Sequence, residues 1–117
     1  MVHLNVDLEQ FAKRLASAWS RETSSLWSSD NPARGQCGVT SLVVHDVFGG
    51  RILKTLLPQR PHFYNLIEGR RLDFTSSQFD VPIDYLDLPS DRQEAMTDTN
   101  PFQYRALCSR LGLPVND

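Results

Sequence analysis

The stretch Gly35-Gln36-Cys37-Gly38-Val39-Thr40-Ser41-Leu42-Val43-Val44 sets the terms for the rest of the chain. It reads as a loop that turns into a helix running from about Gln36 or Cys37 to Phe48, closed by Gly49-Gly50, which supply a left-handed C-terminal cap. Val39, Val43, Val44 and Val47 suit a strand by propensity, but the capping glycines and the polar pair His45-Asp46 decide for a helix. Leu42, Val43, Val44, Val47 and Phe48 leave that helix few polar faces, so it belongs in the interior, between a sheet and another helix. With 117 residues the chain holds one core and one domain.

The flanking segments supply the layers. From Asp7 to Trp19, Leu8, Phe11, Ala12, Leu15, Ala18 and Trp19 recur at helical spacing, with Asn5 or Asp7 as cap. The segment Ser20 to Ser29 is polar apart from Trp27, an anchor for the loop or a wall of a substrate cleft. Arg51 to Leu57 reads as a strand in which Ile52, with Thr55 or Leu56, alternates against Arg51 and Lys54. After Pro58-Gln59-Arg60-Pro61, a hairpin turning at Glu68-Gly69 opposes Ile67 with Arg70, Asn65 with Leu72 and Phe63 with Phe74. In that register Phe63, Ile67, Leu72 and Phe74 share an apolar face, and His62, Tyr64, Asp73 and Thr75 share the other. His62 and Asp73 become diagonal neighbours within side-chain reach.

Asp80 to Asp98 reads as a long solvated excursion, acidic but without the spacing or central glycine of a calcium loop. Asn100 then caps a last helix, Pro101 takes its first position, and Gly112-Leu113-Pro114 stops it after Leu111, with Cys108 in the core. The sum is a single α+β domain, an antiparallel sheet packed against a buried central helix.

Composition narrows the function. The chain is 40% hydrophobic and 22% charged, with a formal net charge of -2, which argues against general electrostatic capture of nucleic acid or of an acidic membrane. No run is apolar for long enough to span a bilayer, and the start lacks a signal-peptide pattern, so the expected location is the cytoplasm with reduced thiols. The two cysteines form no C-x-x-C pair, a disulfide between them stays open, and no zinc motif, other metal or cofactor is implied.

A cysteine in the first turn of a helix meets unpaired backbone N–H groups and a partial positive charge, which favour the thiolate. Nucleophilic catalysis also needs a base, a group that orients it, and donors for the oxyanion. Cys37, His62 and Asp73 take the first three places. Gln36, or the backbone N–H of Cys37, takes the last, and Trp27 and Tyr64 are the candidate substrate-binding side chains. His3, near the terminus, and His45, on the buried helix, lack this context. The expected partner is an amide-containing small molecule or protein. The alternatives are a non-catalytic interaction or ligand-binding module on the same scaffold, and a weaker metal site on Cys37, His62 and Asp73.

The segments Asn31-Pro32-Ala33-Arg34-Gly35-Gln36-Cys37-Gly38-Val39-Thr40 with Ser41-Leu42-Val43-Val44, Gly49-Gly50, Ile52-Leu53-Lys54-Thr55, His62-Phe63-Tyr64-Asn65 and Asp73-Phe74-Thr75-Ser76-Ser77-Gln78-Phe79 resemble the YunG-like family of small bacterial proteins. The resemblance spans roughly Trp27 to Phe79, with Tyr104-Arg105 after it. More coarsely, a helix-start Cys followed by His and Asp on neighbouring antiparallel strands is similar to the transglutaminase-like and papain-like cysteine hydrolases. That likeness implies a core of their kind, a thiol-protease-like activity, and nucleophile, base and orienter at Cys37, His62 and Asp73.

Overall fold

The central helix forms where its apolar residues predict it. The computed structural model describes residues 4–115, and in it α2 runs Cys37–Phe48 with every residue from Cys37 to Val44 buried. Gln36 makes no side-chain cap, and Gly38 in the first turn costs about 1 kcal/mol of helix propensity. Val39, Leu42, Val43 and Val44 are each at most 1% exposed, and burying such a side chain contributes roughly 1.5–3 kcal/mol, so tertiary packing decides the helix. Gly49 follows with φ 78° and ψ −142°, outside the left-handed helical cap expected there.

The helix α1 spans Leu4–Ala18. Asn5 and Asp7, expected as caps, therefore lie inside it, and His3 lies outside the described residues. Phe11 meets Phe48 edge-on with ring centroids 5.1 Å apart, and Trp19 Nε1 donates to Thr40 Oγ1 at 3.0 Å, which ties α1 to α2.

Four antiparallel strands, β1 (Arg51–Leu56), β2 (Pro61–Ile67), β3 (Arg70–Leu72) and β4 (Leu88–Ser90), pair in the order β3-β2-β1-β4. The hairpin register is the one the turn dictates, with Ile67 opposite Arg70 and Asn65 opposite Leu72. Glu68 and Gly69 both have positive φ, 51° and 76°, as a tight two-residue turn requires. Pairing ends at Leu72, so Phe63 and Phe74 are not ladder partners. Phe74 instead packs on Phe11 at 5.8 Å.

One sheet face lies on α2 through Ile52, Phe63 and Ile67, and Asn65 Nδ2 donates to Ser41 O at 3.1 Å. The other face is also covered, which is why Leu53 and Thr55 are as buried as Ile52 and the expected alternation of β1 is lost. Its cover is the segment read as a solvated excursion. Phe79 stands edge-on to His62 at 4.9 Å, Tyr85 does the same to Tyr64 at 4.9 Å, and Thr55 Oγ1 donates to Asp84 O at 2.7 Å. The same segment then supplies β4 and a short helix α3 (Arg92–Met96), capped by Asp91 Oδ1 accepting from Glu94 N at 2.8 Å.

The last helix, α4 (Pro101–Leu111), begins and ends as its local signals specify. Asn100 Oδ1 accepts from Gln103 N at 2.8 Å, and Gly112 adopts the left-handed conformation with Leu113 N donating to Cys108 O at 2.9 Å. Cys108 is core, and both cysteines carry free thiols. Among the described residues, no helix is long and apolar enough to cross a membrane.

The close approach of α2's exit to β2 sits on Gly50, whose φ is +72° and where an added Cβ would stand 2.3 Å from Leu66 O. Gly50→Ala is expected to destabilise by about 2–5 kcal/mol, strain and steric overlap together, lowering the urea midpoint with an unchanged slope. Gly112→Ala, with φ +71° and nothing within 4 Å, is expected to cost only about 1–2 kcal/mol.

Candidate functional site

The site gathers where the start of α2 meets the start of β2. Cys37, the first residue of α2, and His62, the second of β2, line one cavity of about 830 Å³ together with Arg34, Arg60, Gln78 and Phe79. The β1–β2 connection and the loop that enters α2 form two of its walls. Phe79, Asp80 and Ile83, from the covering segment, form a third.

His62 is 2% exposed and held tightly. Its Nε2 lies 2.7 Å from Asp73 Oδ2, and the same carboxylate oxygen accepts from Tyr85 Oη at 2.7 Å. The other oxygen, Oδ1, accepts from Thr75 N and Thr75 Oγ1, both at 3.2 Å. Burial pushes the Asp73 acid up, but the hydrogen bond and charge of His62, with the bonds from Tyr85 and Thr75, outweigh it and leave Asp73 below the usual carboxylate range. With Nε2 engaged by Asp73, Nδ1 is the nitrogen left for another group.

Cys37 departs from expectation in its charge state. It is 3% exposed, and burial, followed by the negative charge of Asp98, pushes its thiol up to about 12. The second of these causes lies beside it. Asp98, in the connection from α3 to α4, sets Oδ2 3.4 Å from Cys37 Sγ and 3.0 Å from Gly38 N. A remote carboxylate thus occupies the helix N-terminus and cancels the positive potential that would have lowered the thiol pKa. Gly38 makes the approach possible, since a Cβ there would stand 2.6 Å from Asp98 Oδ2 and 2.9 Å from Ala95 O. A backbone hydrogen bond from Phe63 acts in the opposite direction, as does the Arg60 charge, and places the sulfur against the residue that follows His62. Burial raises the Asp98 acid too, although Cys37, Arg60, Gly38 N–H and His62 all pull it down.

The remaining sequence candidates stand apart from the cavity wall. Gln36 is sealed at 0% exposure, its Oε1 accepts from Thr23 Oγ1 at 2.8 Å, and its Nε2 has no hydrogen-bond partner among the described residues. Trp27 packs against the hydrophobic core. Tyr64 stacks beside His62, ring centroids 6.0 Å apart, and spends its hydroxyl on the covering segment, accepting from Asp87 N at 2.8 Å and donating to Asp87 Oδ1 at 2.9 Å. Asp98, Tyr85 and Arg60 were missed. For Asp98 the chain offers only the Asp91-to-Glu94 capping pattern, which marks α3 and hence the loop after it. Among the described residues, no group of three or more His, Cys, Asp or Glu side chains is arranged to hold a metal ion.

Compared with known proteins, residues 7–114 match the family described as YunG protein. The chain belongs to the YunG family. It is 53% identical over 102 residues to a protein of Bacillus subtilis (strain 168) described as Uncharacterized protein YunG, an alignment covering 87% of this chain and 89% of that relative. No solved structure matches it. Cys37, His62, Asp73, Tyr85 and Asp98 all fall inside the span that matches the YunG family.

Two consequences can be measured. Because the charge and the hydrogen bond of Asp98 both raise the Cys37 pKa, Asp98→Asn is expected to speed alkylation of Cys37 by a neutral reagent at pH 8, about tenfold for each pKa unit released, with Cys108 as internal reference. Asp73 has a lowered folded pKa, so the stability it contributes is present above the unfolded carboxylate value and is lost as pH falls through the folded one. Tyr85→Phe removes a donor to that carboxylate and is expected to move the acid-unfolding midpoint, followed by circular dichroism, to higher pH.

Proposed function

We propose that this YunG family member is a cysteine-nucleophile hydrolase or acyl transferase acting on an amide, such as a peptide bond, a glutamine side chain or a small amide. In this reading Cys37 is the nucleophile, His62 the acid and base, and Asp73 the group that orients the imidazole. Its core is then of the papain-like and transglutaminase-like kind. The observation that carries the reading is that Cys37 and His62 line one cavity while Asp73 holds the imidazole Nε2 at 2.7 Å.

The chemistry follows from a thiol that rests neutral. Sγ attacks the carbonyl carbon as its proton passes to His62 Nδ1, and the carbonyl π pair moves onto oxygen. The sealed side chain of Gln36 leaves the oxyanion to the Cys37 amide, which has no intrahelical acceptor at the helix's first position. The imidazolium then gives its proton to the departing amine nitrogen, the C–N bond breaks, and a thioester remains. Water or an acceptor amine, deprotonated by His62, attacks the thioester carbon, the C–S bond breaks to release the acid or the new amide, and the imidazolium returns the proton to sulfur. Asp73 lends its negative charge to the imidazolium throughout. The free thiols of Cys37 and Cys108 suit the reducing cytoplasm, where we place the reaction.

The suppressed ionisation of Cys37 favours a second reading, a ligand-binding module in which the cavity holds a small molecule and the sulfur is only part of its wall. One experiment separates the two. Exposed to p-nitrophenyl acetate, the wild-type protein is expected to acquire one acetyl group on Cys37 by peptide mass mapping, and Cys37→Ala none. His62→Ala is expected to slow the acylation about 10²–10⁴-fold. An unmodified Cys37 with no release of p-nitrophenolate beyond that of Cys37→Ala, or acylation undiminished in a folded His62→Ala protein, overturns the enzymatic reading.

A further inference from the structure

The cavity beside Cys37 is more basic than the chain as a whole. Arg34 lies three residues before Cys37, and Arg60 two residues before His62, so each wall that carries a reacting group also carries a guanidinium. Against these two cations the wall offers one carboxylate, Asp80. Arg34 is exposed and has no ion pair among the described residues. Arg60, 44% exposed, meets Asp98 Oδ1 at 3.8 Å, beyond hydrogen-bond length, so its donors are open to a ligand.

The other anion receptor at this place is already taken. The start of α2 would draw a negative group through its free N–H groups, but Asp98 Oδ2 holds Gly38 N at 3.0 Å. Recognition of a ligand anion therefore falls to side chains. Guanidinium groups stay charged at any working pH and match a carboxylate with two parallel hydrogen bonds. The neighbouring amides of Asn31, Gln59 and Gln78 add neutral partners to the same wall. A cavity of about 830 Å³ has the size of a small-molecule site rather than a docking face for a folded partner.

We infer that the ligand of this cavity is a small amide bearing a carboxylate, held by Arg34 and Arg60 so that its carbonyl carbon lies at Cys37. The assignment of the carbonyl to Cys37 rests on the acyl-transfer reading, whereas the carboxylate site does not. The two fail separately: acylation of Cys37 tests the first, and equilibrium binding tests the second.

The binding test uses the full chain and two probes differing in one group, N-acetylglycine and N-acetylglycinamide, titrated against the wild-type protein and followed by amide NMR. The acid is expected to shift the signals of Arg34, Arg60, His62 and Gln78 and to bind at least about tenfold more tightly than the amide, in line with the effect of a basic cleft on a counter-ion. Arg34→Gln and Arg60→Gln are each expected to weaken the acid several-fold and leave the amide unchanged, with retained dispersion of the spectrum showing that the variants fold. Equal binding of acid and amide, no shift with either, or indifference to both arginine changes overturns the proposal. Inorganic phosphate is the third probe. Should it bind the same residues more tightly than N-acetylglycine, the site is a phosphate site and the carboxylate assignment is wrong.

Discussion

A carboxylate delivered from sixty residues away closes the N-terminus of the buried helix, and the arrangement of the site depends on it. Asp98 accepts from the Gly38 amide and from the Cys37 thiol with one oxygen, which joins the start of α2 to the loop between α3 and α4. The join makes a cap out of a tertiary contact, and the helix accordingly begins without a side-chain cap of its own. It also fixes the resting state of the sulfur. The same charge that satisfies the helix end removes the electrostatic benefit such an end usually gives to a thiolate.

His62 lives under the opposite regime. Tyr85 and Thr75 both donate to Asp73, which in turn holds the ring, so that the imidazole has a fixed orientation and a counter-charge already in place. Cys37 is thus suppressed while its neighbour is prepared, and the two line one cavity. In the proposed acyl transfer the sulfur gains nucleophilic character only as its proton leaves for the imidazole, which would couple reactivity to the presence of an electrophile.

Elements whose causes are local were legible in the chain. Asn100-Pro101 and Gly112 set the limits of α4, and Glu68-Gly69 set the hairpin register that brings His62 and Asp73 together. What escaped depends on partners remote in sequence. Within the segment read as an excursion, β4 is an edge strand that tolerates Pro89, and its existence rests on pairing with Ile52 to Lys54. Asp80, Asp84, Asp87 and Asp91 are exposed, as their charges suggest, but nothing in their own neighbourhood reveals that Thr55, Tyr64 and His62 present a second sheet face, which Phe79, Tyr85 and the backbone of that segment cover. The thiol was misjudged for the same reason. A sequence displays the helix end but not the charge that a distant loop sets on it.

The covering segment fastens to the sheet through Tyr64 with Asp87 and through Thr55 with Asp84 and Leu86, while its leading part, Phe79 to Ile83, becomes one side of the cavity. The wall is tied to the site it encloses at two points, Phe79 edge-on to His62 at 4.9 Å and Tyr85 donating to Asp73 at 2.7 Å. Side chains at Asp80 and Ile83 can drift in size and polarity while the imidazole keeps its bearings. The architecture in effect hangs a replaceable panel, Asp80 and Ile83, on a frame that holds the imidazole.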